Sequence, residues 1–233
     1  MVDAIPPEMA GIDPFDLLER EARRIADFYA GLDAAGWTAP TRCAEWNRQE
    51  LLAHLTSIED YTRAGLDSTL GDLVARSAAG DVDEWNAWGV EQRADRSRRA
   101  LLAEWAATAA ENRRRLRERG PEAPLDTAVG DYPIGRQAFY LASELAIHAD
   151  DADVPIADDE RETRRDWRVR FARVAVAEAG HGVSIEIRDG GQLVRLGDDE
   201  AFLDDETLVE TVSGRLPAGR LPSGLHKALV ALA

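Results

Sequence analysis

Two segments of the chain carry side chains that could bind one metal ion. His54 lies three residues after Leu51 and four before Ile58, which places it on the apolar face of a predicted helix. Glu144 and His148 are one helical turn apart and project from one side of a second predicted helix. In a bundle that places these helices side by side, the three side chains can hold one ion and leave a position open for water or substrate. The spacing therefore permits a catalytic metal site, although spacing alone does not decide in its favour.

The same residues also permit a purely structural interpretation. Glu-x-x-x-His spacing is common by chance, and a histidine on an apolar face is often a core residue whose nitrogens are hydrogen-bonded. The small number of histidines favours the metal hypothesis, because two of only four lie on inward helix faces. The other two, His181 and His226, have no partner at ligand spacing.

Four long helices are predicted to position these groups. Apolar residues at intervals of three and four predict helices at about residues 14–36, 47–61, 95–119 and 134–149. Asn47 and Glu50 have the spacing of a capping box at the start of the second helix. Four helices with one long connection predict an up-down four-helix bundle. That connection, residues 71–93, contains two tryptophans and several glycines, and is predicted to form either a short extra helix or a substrate-covering loop.

A second domain is predicted after an acidic, proline-containing segment at residues 150–162, which has the composition of a linker. The expected domains are therefore residues 1–158 and 159–233. In the second domain, VSIEIR and QLVRL flank the turn signal Asp189-Gly190-Gly191 and predict a β-hairpin. Helical patterns lie before the hairpin and at residues 206–212 and 223–232. The predicted fold class is α+β, a helical bundle followed by a small α+β domain.

The composition disfavours two classes of partner. The formal net charge is -16 and the pI about 4.7, so the surface potential repels nucleic acids. The arginine run at residues 113–119 is interleaved with glutamates and is predicted to be a solvated helix face. No stretch approaches the roughly 20 apolar residues that span a bilayer, and no targeting segment is recognised. A cytoplasmic protein is therefore expected, and the single cysteine, Cys43, fits a reducing compartment but says little by itself.

Residues 37–55, WTAPTRCAEWNRQELLAHL, and residues 144–151, ELAIHADD, together resemble the signature of a known family. This is the mycothiol-dependent maleylpyruvate isomerase family, a branch of the DinB-like metal-binding bundles. The family also carries a small, sterol-carrier-like α+β domain after the bundle, which is similar to the layout predicted here. The pattern comprises Trp37, Pro40, Thr41, Cys43, Trp46, Leu51, His54, Leu55, Glu144, His148 and Asp151.

The resemblance implies a zinc ion held by His54, Glu144 and His148, and mycothiol as the thiol cosubstrate. A thiol bound to zinc is deprotonated, which would supply a nucleophile at neutral pH without a protein cysteine. In an isomerase, the thiolate would add to an activated carbon–carbon double bond, permit rotation and then leave. In a transferase, it would attack an electrophilic small molecule and stay attached. No catalytic residue beyond the metal ligands is assigned.

The sequence also leads us to expect particular roles for several other residues. Asp151 is placed to accept the N–H of a ligating histidine, or to be solvated at the helix end. Cys43 and the neighbouring tryptophans are interpreted as packing residues. Arg215 and Arg220 could bind a substrate or thiol carboxylate, although at least one is expected to be a solvated surface residue.

A non-catalytic metal-binding or regulatory module of the same fold is the alternative to an enzyme. Three retained ligands favour the enzyme. The substrate and the oligomeric state are not predicted from the sequence.

Overall fold

The computed structural model describes residues 2–232, which divide into two compact units. The N-terminal unit comprises Ile12–Pro155 with the residues before Pro6, and the C-terminal unit comprises Pro6–Gly11 with the residues from Ile156 onward. Helices make up most of the first unit, and a small antiparallel sheet lies in the second. The predicted α+β class with an N-terminal helical domain is confirmed.

Seven helices and one hairpin occur along the described part of the N-terminal unit. The four long helices are α1 (Pro14–Gly31), α3 (Arg48–Asp67), α6 (Arg98–Arg119) and α7 (Ile134–Asp151). The short helices are α2 (Ala34–Trp37), α4 (Leu70–Ser77) and α5 (Val82–Glu91), and the hairpin consists of β1 (Pro124–Thr127) and β2 (Gly130–Pro133). Helix α1 packs against α6 and α7, and α3 packs against α6. Their inward faces form a core that includes Leu18, Ile25, Leu51, Leu55, Trp105 and Phe139.

Two predicted helix limits are wrong, and local capping explains both. The first helix ends at Gly31 rather than near residue 36, because the Asp33 side chain accepts the Gly36 N–H and begins the separate helix α2. Helix α6 begins at Arg98 rather than at residue 95, because Ser97 caps it through the Ala100 N–H. The β1–β2 hairpin was not predicted, since four-residue strands give too short an alternation to recognise.

The predicted capping box at the start of α3 is confirmed. The Asn47 side chain accepts the N–H groups of Gln49 and Glu50, and the Glu50 carboxylate accepts the Asn47 N–H at 2.8 Å. Three otherwise unsatisfied N–H donors are paired in this way, and the helix that carries His54 has a defined beginning.

Replacing this cap should measurably destabilise the protein. We expect Asn47→Ala to lower the free energy of unfolding by about 1 kcal/mol, because the first turn of α3 loses its acceptor. Urea unfolding monitored by circular dichroism measures the change. Thr69→Ala is the matched control, because Thr69 precedes α4 without a side-chain capping bond. Equal stability of Asn47→Ala and the wild-type protein would show that the cap is dispensable.

The connection between α3 and α6 was predicted to form either a short extra helix or a substrate-covering loop. It contains the helices α4 and α5, so helical structure is observed. Trp85 and Trp88 pack with Tyr61 around a small cluster formed by Ala64, Leu70 and Leu73. Gly89 lies so close to α3 that an added Cβ would be 2.5 Å from the Ser57 side chain. A glycine at this position therefore lets α5 approach α3 closely.

The arginine run of α6, predicted to be a solvated helix face, also forms ion pairs. Most of these guanidinium groups lie at or near the surface and contact carboxylates of α1, α3 or α6 itself. The pairs are Arg113–Glu19, Arg114–Glu111, Arg114–Glu118, Arg115–Asp67 and Arg117–Asp16.

The C-terminal unit contains helices α8 (Arg161–Ala179), α9 (Asp205–Val212) and α10 (Ser223–Leu229) and one sheet. The sheet is antiparallel with the order β3 (Ser184–Arg188), β4 (Gly191–Leu196) and β5 (Asp199–Leu203). The β3–β4 pairing confirms the predicted hairpin. Strand β5 was not predicted, because its acidic sequence lacks a clear apolar alternation. Within residues 2–232, no helix has the length and apolar character needed to cross a bilayer.

Candidate metal centre

Glu144 lies between the two histidines predicted as metal ligands. Its Oε1 atom is 3.1 Å from the Nε2 atoms of both His54 and His148. The two imidazole rings meet edge to face, with centroids 4.9 Å apart. The histidine side chains are 3% and 7% exposed, whereas that of Glu144 is 28% exposed. The cluster is therefore buried on the histidine side and accessible at the carboxylate.

Two helices of the N-terminal unit bring these groups together. Glu144 and His148 are one turn apart on α7, and their helical spacing directs them to the same point. His54 projects from α3, where its neighbours Leu51 and Leu55 are buried. The Trp46 indole, in the loop before α3, stacks on the His54 ring at 4.8 Å between centroids.

The charges in this cluster affect one another strongly. Burial alone would raise the pKa of Glu144, but the charge on His148 and the hydrogen bonds of both imidazoles hold it well below its usual range. Burial alone would lower the pKa of His148, but the Glu144 charge and a hydrogen bond to Asp151 raise it well above its usual value. The centre therefore favours a positive charge next to the carboxylate.

The donor set fits a divalent metal ion. One ligand atom from each of His54, Glu144 and His148 lies within 4.8 Å of the other two. If its Nδ1–H group donates a hydrogen bond to Asp151, a neutral His148 directs the lone pair of Nε2 at Glu144 Oε1. Two lone pairs 3.1 Å apart require a proton or a metal ion nearby. Two imidazoles and one glutamate are a known zinc ligand set.

Asp151 lies at the C-terminal end of α7 and is buried. Its Oδ2 atom is 3.0 Å from His148 Nδ1, on the ring edge opposite Nε2. Because the Asp151 side chain is buried and makes this contact, it is not simply solvated at the end of the helix. A carboxylate in this position orients an imidazole.

Cys43, predicted to be a packing residue, also makes polar contacts. Its half-buried thiol lies 3.2 Å from Asp151 Oδ2 and 3.8 Å from His148 Nδ1. Trp46 likewise contacts the His54 ring instead of serving only as a core anchor. Sequence reasoning missed both contacts, because no helical spacing relates a loop residue to side chains on other elements. Their position just before α3 was the only available signal.

The two arginines predicted to bind a carboxylate belong to the C-terminal unit, whereas the three histidine and glutamate groups belong to the N-terminal unit. Arg215 is half-buried, and its Nη1 atom donates to the Ser213 carbonyl at 3.1 Å. Arg220 is exposed. Their role in carboxylate binding stays a prediction.

The fold and the cluster define a class of protein: an α+β chain whose N-terminal helical unit contains a candidate metal centre of two histidines and one glutamate. Comparison with known protein families makes the assignment specific. The family model of the mycothiol maleylpyruvate isomerase N-terminal domain matches residues 18–153, more than half of the chain, and the chain belongs to this family. Comparisons with curated proteins and with solved structures gave no match. The family connects the chain with mycothiol-related function.

Proposed function

We propose that this protein is a zinc- and mycothiol-dependent enzyme of the cytoplasm that acts on an electrophilic small molecule. The observation that carries the proposal is the convergence of His54, Glu144 and His148 inside a helical unit of the mycothiol maleylpyruvate isomerase family. The proposed reaction is a maleylpyruvate isomerase-type isomerisation or the transfer of mycothiol sulfur to an electrophile.

The proposed ligands are His54, Glu144 and His148, and three protein ligands leave one coordination position of a tetrahedral zinc ion open. When bound, zinc would supply Lewis acidity that deprotonates a coordinated thiol at neutral pH. The accessible carboxylate side of the cluster supports entry of a small molecule, since the two imidazoles are buried.

The surrounding residues support this role by limiting motion of the ligands. Asp151 accepts a hydrogen bond at His148 Nδ1, so the Nε2 atom is available toward Glu144. Stacking of the Trp46 indole restricts rotation of the His54 ring. A site held in this way binds its ion without first ordering its side chains.

For the C-terminal part, we propose a sterol-carrier-like domain over residues 159–233. Its helices and three-stranded antiparallel sheet support this proposal. Arg215 and Arg220 are the residues proposed to bind a carboxylate of the substrate or of the thiol, because a guanidinium group can bind a carboxylate through two hydrogen bonds.

Metal analysis and calorimetry with the full-length protein test the proposal. We expect about one zinc ion per chain after purification, as three protein ligands imply, and mycothiol binding that disappears when zinc is removed by a chelator. Glutathione in place of mycothiol is the control that tests whether binding is specific for mycothiol. Absence of both zinc and thiol affinity would contradict the proposed function.

Product analysis separates the two reactions and the non-catalytic alternative. Zinc-loaded protein is incubated with mycothiol and maleylpyruvate, and the products are followed by mass spectrometry. Fumarylpyruvate without net thiol consumption would identify an isomerase. A stable thioether formed with maleylpyruvate or with a panel of electrophiles would identify a transferase. Zinc and mycothiol binding with neither product would favour a binding or regulatory module.

A further inference from the structure

A second polar cluster lies on the side of His148 away from Glu144. One oxygen of Asp151, Oδ2, is 3.0 Å from His148 Nδ1 and 3.2 Å from Cys43 Sγ. His148 and Asp151 are buried, and Cys43 is half-buried. A single carboxylate oxygen therefore contacts both a ring nitrogen and the thiol.

The direction of these hydrogen bonds follows from the chemistry of the groups. An ionised carboxylate only accepts, so both the imidazole Nδ1 and the thiol act as donors to Asp151. A hydrogen on Nδ1 leaves the lone pair of a neutral ring on Nε2, the atom 3.1 Å from Glu144 Oε1. The Asp151 contact thus determines which nitrogen of His148 is available as a ligand.

The backbone around Cys43 holds the thiol at this place. The Thr41 hydroxyl accepts the Cys43 N–H at 3.1 Å and lies 2.7 Å from the Trp46 carbonyl, to which it donates. The Arg42 N–H donates to the Asp151 backbone carbonyl at 3.0 Å. Hydrogen bonds therefore hold the loop in its own conformation and attach it to the end of α7.

We propose that Cys43 is a positioning residue of the metal centre, whose S–H group holds the Asp151 carboxylate in the orientation that fixes the tautomer and ring plane of His148. This inference rests on the proposed metal-binding function of His148. Cys43, His148 and Asp151 also have the donor atoms of a metal site. A metal ion there would require Nδ1 without hydrogen and an imidazole bound on both edges, so the hydrogen-bonded arrangement is favoured.

Zinc affinity of the full-length protein tests the role of the thiol. Cys43→Val removes the donor and leaves an apolar side chain, and we expect roughly 10-fold weaker zinc binding in competition with a chromophoric chelator. Cys43→Ser retains a donor and should remain within about threefold of the wild-type affinity. Ala44→Val is the matched control, because it adds the same side chain at an exposed neighbouring position.

Infrared spectroscopy gives a readout that does not depend on zinc. The chain has one cysteine, so the S–H stretching band reports on Cys43 alone. We expect a band shifted to low frequency by the carboxylate acceptor, and a smaller shift in Asp151→Asn, whose amide oxygen is a weaker acceptor.

The outcomes separate this inference from the proposed function. A wild-type protein without zinc affinity would contradict the proposed function, while the S–H band would still show whether the thiol bonds to Asp151. Wild-type zinc affinity in Cys43→Val, or an S–H band insensitive to Asp151→Asn, would overturn the positioning role. A second equivalent of Co²⁺ with a sulfur charge-transfer band, lost in Cys43→Ser, would also overturn it by making Cys43 a ligand.

Discussion

Glu144→Gln lowers the zinc affinity of the full-length protein at least about 100-fold and abolishes mycothiol-dependent turnover: this is the largest effect that we expect. Loss of an outer hydrogen-bond partner of a ligand costs roughly 10- to 100-fold, and loss of a direct ligand should cost at least as much. The glutamine retains the shape of Glu144 but removes the negative charge that lies 3.1 Å from both imidazoles.

Competition with a chromophoric chelator measures the affinity of the variant, and product analysis measures its turnover. Glu45→Gln is the control, because Glu45 is an exposed glutamate in the loop before α3. It should bind zinc as the wild-type protein does. Unchanged zinc content in Glu144→Gln would show that the carboxylate is not a ligand, and the metal proposal would then lose its central observation.

Glu59→Gln should make the protein more stable at pH 8 and leave it nearly unchanged at pH 4.5. Burial in the bundle core raises the pKa of Glu59 to about 7, although the Asn112 hydrogen bond and the charge on Arg113 oppose the shift. In the unfolded chain, the carboxyl group has the ordinary glutamate pKa of 4.5. Between these values the folded state binds more protons than the unfolded state, so stability falls as the pH rises.

The expected size follows from the same two pKa values. The difference between 4.5 and about 7 corresponds to a loss of roughly 3 kcal/mol in the free energy of unfolding. This loss is absent below pH 4.5 and fully present above pH 7. Glutamine avoids this cost because it does not ionise. Its amide oxygen can accept from Asn112 Nδ2, as the Glu59 carboxylate does at 2.8 Å.

Urea unfolding at pH 4.5 and pH 8 measures the difference between variant and wild type, in which the contributions of the other titrating groups cancel. Glu122→Gln, at an exposed position, is the control and should show no pH-dependent difference. A stability difference that is the same at both pH values would mean that Glu59 does not titrate between them.

Features that depend on neighbours along the chain were largely predictable from the sequence. The capping box at Asn47, the common face of Glu144 and His148, and the β3–β4 hairpin depend on helical spacing or on turn chemistry. The 3.6-residue period of a helix relates such residues before any tertiary contact forms. The sequence therefore sufficed for the helical character of the N-terminal unit and for the hypothesis of a metal site.

Only the tertiary structure determined which residues meet across different elements. The 3.1 Å distance from His54 to Glu144 joins α3 and α7, and the stacking of Trp46 and the contact of Cys43 with Asp151 join a loop to those helices. No rule of spacing relates residues about 90 positions apart, as His54 and Glu144 are. Their distance depends on how the side chains of the bundle core pack, because that packing sets the separation and rotation of the helices.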